Sequence, residues 1–339
     1  MYRALLVWLI TAAPAAAAPL CPDAAPPSAS ALIQAANRVP AAPHAVARLH
    51  TEGTLPHQGI YDESQVAQRD LTAMRDLALA WRMAGDRPAL DRLAVYLSAW
   101  TATYKPSFDP IDETNFDGLI DAYALAAPDL PAGVREQARG FLEALAAGYV
   151  RAIDNQRGKS QGTWSNNWQS HRVKIETMAA VAIGDDALFA RARAAFRRQL
   201  DQNVLPDGEV IDFHERDALH YVVYDLEPLT RAAIAAARHG EDWLGLPGKD
   251  GQTLRMALDW LLPYADGTKP HEEFVHTTVS FDLARRAAGV AGFAGRWPSA
   301  NAAALYWSAS LLDTRYLSLA RTLAPAPPRW LWAVATCRR

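Results

Sequence analysis

The sequence predicts an all-α fold, an (α/α) toroid or incomplete barrel of about six or seven helical hairpins, and three observations carry that prediction. Apolar residues recur at steps of three and four along much of the chain, helix starts and stops interrupt them at short intervals, and alternating strand patterns are scarce. Hairpins of roughly 45 residues, coiled side by side, fill such a chain, and no strict repeat favours a regular solenoid. No composition break or long linker divides the sequence, so residues 19–339 read as a single domain.

Taken in order, residues 1–18 read as a signal peptide. Tyr2 and Arg3 precede an apolar run from Ala4 to Ile10, too short to span a bilayer, and small residues lead to Ala18. The product is then periplasmic or secreted, with no later stretch apolar and long enough to hold it in a membrane. The chain has two cysteines, Cys21 and Cys337. In an oxidising compartment their simplest state is one disulfide joining the two ends. Neither reads as a nucleophile, because no histidine or Cys-x-x-Cys context surrounds them.

After an irregular arm from Cys21 to Ser30 the helical period dominates. Leu90, Leu93, Ala94, Leu97 and Trp100 mark one amphipathic face; Val134, Ala138, Phe141, Leu142 and Leu145 mark a second; Leu254, Ala257, Leu258 and Leu261 mark a third. Breaks fall at Gly85 to Pro88, Pro106 to Pro110, Asp129 to Pro131, Gly184 with Asp185, Pro206 to Gly208, Gly245 to Gly248, and Asp266 with Gly267. The net charge of −3 argues against nucleic acid as partner, yet a local basic groove can still bind an anionic polysaccharide.

Four polar islands stand out from this background. In "YKPSFDPIDETN" (104–115), Asp112 or Thr114 reads either as the cap of the helix carrying Phe116, Leu119, Ile120 and Tyr123, or as a substrate-side group. "SNNWQSHR" (165–172) follows Trp164 and packs Asn166, Asn167, Trp168, Gln169, His171 and Arg172 into two turns. A helix starting there uses its asparagines as caps and presents backbone donors to an anion. "DFHERDALHYVVYDLEPL" (212–229), read as one helix, sets His214 and Tyr221 on one face and Arg216, His220 and Tyr224 on another. In "PYADGTKPHEEFVHTTVSFD" (263–282), Lys269 and His271 suit anion binding in a loop or simply a solvated surface. Its two motif histidines are five residues apart, so on a helix they diverge and do not form a zinc pair. No metal and no cofactor is expected.

The second and third islands together resemble the alginate lyase superfamily of polysaccharide lyases, in the branch that includes mannuronan and glucuronan lyases. The resemblance rests on Asn166, Asn167, Trp168, Ser170, His171 and Arg172, then on Asp217, Ala218, Leu219, His220 and Tyr221 followed by Leu226, Glu227, Pro228 and Leu229. It spans about Leu71 to Asp282. Two positions depart from the family pattern: Trp168 stands where a histidine follows the two asparagines, and His214 stands where an arginine precedes the tyrosine by seven.

The resemblance implies an incomplete (α/α) barrel that cuts a 4-linked uronic acid polymer, polymannuronate or glucuronan, by β-elimination, giving a 4,5-unsaturated end. Asn167, with Asn166 or Gln169, is expected to neutralise the substrate carboxylate, and Arg172 or Arg216 to add charge. Tyr221 is expected to be both base and acid, or the acid alone, with nearby cations lowering its pKa. His171 is expected to assist or to act as a separate base in anti elimination, and Tyr224 is the fallback for Tyr221. Trp164 and Trp168 offer apolar faces to sugar rings. Two other classes remain open: a toroidal glycoside hydrolase using acids among Asp212, Glu215, Asp217 and Glu227, and an inactive polyuronate-binding protein.

Overall fold

The computed structural model describes residues 20–156 and 162–337; the segment read as a signal peptide lies outside them. Helices α1 (Ala29–Asn37), α2 (Tyr61–Ala84), α3 (Arg87–Thr103), α4 (Phe116–Ala126), α5 (Ala132–Asn155), α6 (Asn167–Ile183) and α7 (Asp186–Asn203) make up the first part. Then come α8 (Ile211–Arg216), α9 (Leu219–Arg238), α10 (Leu254–Ala265), α11 (Ser280–Ala287), α12 (Ala303–Leu312), α13 (Leu317–Leu323) and α14 (Leu331–Val334).

The packing order defines two concentric layers. An inner arc runs α2–α4–α6–α9–α12, each packed on the next, and α3, α5 and α7 follow one another outside it. Helix α10 packs on α9 and α13 on α12, while α14 closes against α2 and α4. This is an (α/α) toroid, built because each amphipathic helix buries one stripe against the neighbouring layer. Among the described residues, irregular segments such as 38–60, 104–115 and 288–298 join the helices, and these three contribute to the walls of the site.

Local sequence sets the joints. Gly85 and Gly184 end α2 and α6 in the left-handed conformation at φ 70° and 68°, where glycine pays no steric cost. Pro88 sits in the first turn of α3, and Asp185 caps α7 by accepting from the Leu188 amide. Gly118 lets α4 approach α2 closely, since a Cβ there would collide with the Leu71 carbonyl.

Helix α6 lies at the centre of the arc, between α4 and α9 in its own layer and against α5 and α7 outside. It is therefore buried nearly all round, polar residues included. Part of that polar set is paired in the core: Ser170 donates to Asp225 at 2.6 Å, and Gln199 of α7 donates to the Ser165 and Asn166 carbonyls at 3.1 Å each, whereas Glu176 is buried with Oε2 unpartnered.

The two ends of the described chain meet. Cys21 and Cys337 are disulfide-bonded, and Leu20 and Thr336 exchange hydrogen bonds beside them. No helix among the described residues is long and apolar enough to cross a membrane.

Candidate active site

A cleft of about 580 Å³ opens where the N-terminal ends of the inner helices gather. Tyr61 begins α2, Ile111 lies just before α4, Asn167 begins α6, and His220 and Tyr221 lie in the first turn of α9; all line the cleft. Helix N-termini carry partial positive charge, so this end of the toroid favours an anion. The two foremost donors of α6 are nevertheless used inside the protein. The Asn167 amide donates to Asp212 at 2.7 Å, and the Trp168 amide donates to the Asn166 side chain at 3.2 Å.

Asn167 is fixed from below. Its side-chain Nδ2 donates to Asp212 Oδ1 at 2.5 Å, leaving one amide N–H uncommitted. Asp212 is fully buried, and burial pushes its carboxyl up to about 7 against the opposing pull of Asn167 and Arg216.

Tyr221 faces a pair of arginines. Arg285 Nη1 donates to the Tyr221 hydroxyl at 2.8 Å, and the Arg216 guanidinium lies 4.0 Å from the centre of its ring. Arg216 is held in turn by the fully buried Asp282, both of whose oxygens lie 2.7 Å from Nη1. Tyr221 also reaches Asp282 Oδ1 at 3.4 Å. Burial raises the Tyr221 pKa above its ordinary value, and Arg216 and Arg285 only partly offset it. The expectation that neighbouring cations leave this phenol acidified is therefore corrected, because desolvation of the phenolate outweighs them.

The third island is two helices instead of one. Asp217 adopts a left-handed conformation, φ 52°, between α8 and α9, and three partners hold it there. Its carbonyl accepts from His271 Nε2 at 3.0 Å and the Phe274 amide at 2.8 Å, while its carboxylate accepts from the His276 amide at 2.8 Å. The break splits the predicted His214–Tyr221 stripe and leaves the other one together. His214 turns away to the surface beside Glu209, whereas Arg216, His220, Tyr221 and Tyr224 still reach the cleft.

Four more expectations change. Arg172 does not line the cleft: it donates to the Thr163 carbonyl at 2.7 Å and stacks 3.5 Å from the Trp164 ring centre, occupying the face proposed for sugar. Gln169 is buried behind it and accepts from Arg172 at 3.4 Å. His171 lies behind Tyr224 in a separate cavity of about 230 Å³, its Nδ1 2.7 Å from Thr114 Oγ1, and burial holds the imidazole well below its ordinary pKa. Lys269 and His271 line a third cavity, while Asn166 and Trp168 remain on the cleft.

In the first island, the residue preceding α4 makes no side-chain cap, and Asp112 instead accepts from the Thr51 and Glu52 amides at 2.6 and 3.0 Å. That anchors the 50–53 segment, so that Glu52 and Gly53 form one wall of the cleft. Sequence reading missed Glu52, Tyr61, Arg285 and Phe293, which come from segments without a distinctive motif, and Phe281, which lies in the fourth island but was not singled out within it. Among the acids considered for hydrolysis, Asp212, Glu215, Asp217 and Glu227, none lines the cleft.

A model of the alginate lyase family matches residues 22–271. The chain belongs to the alginate lyase family. It is thus a polysaccharide lyase, which breaks a carbon–oxygen bond. Solved structures of similar fold are alginate lyases too. One from Bacteroides ovatus superposes with a TM-score of 0.65 at 15% identity, covering 92% of this chain and 93% of that one. Alginate lyase A1-III from Sphingomonas species A1 gives 0.51 at 19% identity, covering 69% and 70%. A histidine-to-alanine variant of A1-III, complexed with tetrasaccharide, gives 0.53 at 19% identity, covering 68% and 67%. No curated protein matches the sequence.

Proposed function

We propose that this lyase cuts a 4-linked β-configured polyuronate, polymannuronate or glucuronan, by syn β-elimination, with Tyr221 serving as both base and acid. The observation that carries the reading is Tyr221 itself, whose hydroxyl stands in the cleft with Arg285 bonded to it and Arg216 over its ring.

The substrate carboxylate must be neutralised before C5 can lose its proton, since the carbanion charge delocalises into it. The free amide N–H of Asn167 and the positive charges of Arg216 and Arg285 supply that. Asp212 and Asp282 act one step back, fixing Asn167 and Arg216. Tyr221 as phenolate removes the C5 proton, and the same hydroxyl then protonates the departing O4 as the C4–O4 bond breaks. Proton and electrons balance without water: the C5–H electrons become the C4–C5 double bond.

The syn course is assigned because Tyr221 is the cleft phenol that two arginines flank, so that one group both takes and returns the proton. His171, the second base that anti elimination would call for, lies in another cavity with its imidazole neutral and hydrogen-bonded to Thr114. In β-mannuronate and β-glucuronate the C5 proton and O4 have the same relation, so both fit. Trp168, Phe281 and Phe293 offer apolar surface to sugar rings. The alginate lyase A1-III complex with tetrasaccharide is consistent with such a partner. The leader-like residues 1–18 and the Cys21–Cys337 disulfide support export to a periplasm or beyond.

The test is ultraviolet absorbance of the conjugated C4–C5 double bond on incubation with polymannuronate, polyguluronate, glucuronan and hyaluronan, beside Tyr221→Phe. A rise with a β-configured 4-linked polymer that Tyr221→Phe lowers by about a thousandfold is expected, in line with general acid–base contributions. Turnover of polyguluronate alone, or a Tyr221→Phe variant with near-parent rates, refutes the assignment.

A further inference from the structure

Lys269 and His271 do not reach the catalytic cleft; with Arg296, Trp297 and Tyr264 they line a separate cavity of about 410 Å³. Its walls are pinned. Glu272 and Arg296 form an antiparallel bridge, the Trp297 amide donates to the His271 carbonyl at 2.9 Å, and the Glu273 amide donates to the Gly295 carbonyl at 2.9 Å. The Lys269 amide is fixed to the Pro263 carbonyl at 2.7 Å.

The chemistry of the lining is uneven in a telling way. Lys269 Nζ stands 4.5 Å from the centre of the Tyr264 ring, and among the described residues neither Lys269 nor Arg296 has a carboxylate partner. Glu209 senses Lys269 only at longer range. The indole Nε1–H of Trp297, a side chain 5% exposed, is buried without an acceptor. That atom is closed to the cavity, so Trp297 serves as part of its wall. His271 is a strut here, its Nε2 committed to the Asp217 carbonyl.

We propose that this cavity is an accessory site for a carboxylated sugar unit of the polymer, outside the catalytic cleft. The assignment rests on the polyuronate reading above and extends it. Lys269 and Arg296 take the carboxylate, and the exposed Pro270 and Pro298 offer the apolar face of the ring a surface. The two sites flank one joint: Asp217 is held by His271 on the accessory side, and its neighbour Arg216 lines the cleft. A long chain can thus engage both, while a short oligomer engages the cleft alone.

The experiment compares the parent with a Lys269→Ala/Arg296→Ala double variant; both side chains are exposed, so the unfolding midpoint is expected to stay within a degree or two. With a long polymer the double variant should show KM raised about five- to tenfold, with KM for a tetramer changed far less. Equal effects on polymer and tetramer, or no effect on either, overturn the proposal. A binding readout separates it from the lyase reading: migration in native gels containing polymannuronate, glucuronan or the carboxyl-reduced form of either. Retardation by the carboxylated polymer that the double variant loses, and that the reduced polymer fails to cause, supports the site even if the parent turns over no polyuronate. Equal retardation of parent and variant, retardation by the reduced polymer, or none at all, overturns it.

Discussion

Replacing Arg285 by methionine tests the acid–base assignment at its most exposed support. Methionine keeps apolar length against Phe281 and Phe293, whose ring centres lie 4.2 and 5.1 Å from the guanidinium, but removes the 2.8 Å bond to the Tyr221 hydroxyl. A hydrogen bond from a charged donor is worth about 1.5–3 kcal/mol, and most of that favours the phenolate over the phenol. The Tyr221 pKa, already raised by burial, should therefore climb by about one to two units further. Below that pKa the phenolate fraction falls tenfold per unit; the stronger base recovers part of the loss, so kcat near neutral pH should drop roughly tenfold. The assay is the rate of unsaturated product across pH. In the parent the rate should rise with pH into the range above ordinary tyrosine titration, and in Arg285→Met the same limb should lie higher by about the same one to two units. Stability should change by less than about 1 kcal/mol, because Arg285 is only half-buried and makes no buried ion pair. An unshifted limb, or full activity at neutral pH, refutes the idea that Arg285 tunes Tyr221.

Three further outcomes follow from the same geometry. His171→Gln should leave turnover of a β-configured polymer within about fivefold of the parent, since His171 lies outside the cleft; a loss as large as that of Tyr221→Phe would restore it as a base. Asp212 has a folded pKa raised to about 7, above the ordinary carboxylate value it regains on unfolding, so the folded state binds its proton more tightly. Its contribution is present at low pH and is lost as pH rises through about 7; in Asp212→Asn the midpoint of thermal unfolding should fall less steeply over that window, while the freed Asn167 costs catalytic rate. Cys337→Ser opens a loop closed across a sequence separation of 316 residues and should lower unfolding free energy by about 2–5 kcal/mol, read from denaturant titration, with kcat unchanged.

How much was legible in the sequence depends on the range of the interactions that decide each feature. Helical periodicity placed α3, α5 and α10, because an amphipathic face is written in residues three and four apart. Glycine and proline marked the joints at Gly85 and Gly184, because φ constraints are local. The two motifs brought Asn166, Asn167, Trp168, Arg216, His220, Tyr221 and Tyr224 to one cleft, as local spacing on neighbouring inner helices allows.

Tertiary structure alone decided the rest. The turn at Asp217 broke a stripe that spacing made continuous, because His271, Phe274 and His276, more than fifty residues away, hold that residue left-handed. His171 and Arg172 carry the family-like motif yet face Thr114 and Trp164, since a helix packed on all sides turns some polar residues inward. Asp282, at the end of the fourth island, and Arg285, just beyond it, complete the tyrosine's surroundings from a short helix whose position across the cleft no local spacing gives. Whether cations or burial govern Tyr221 was likewise beyond the sequence, because desolvation is set by everything packed around the ring and only the charges can be read along the chain.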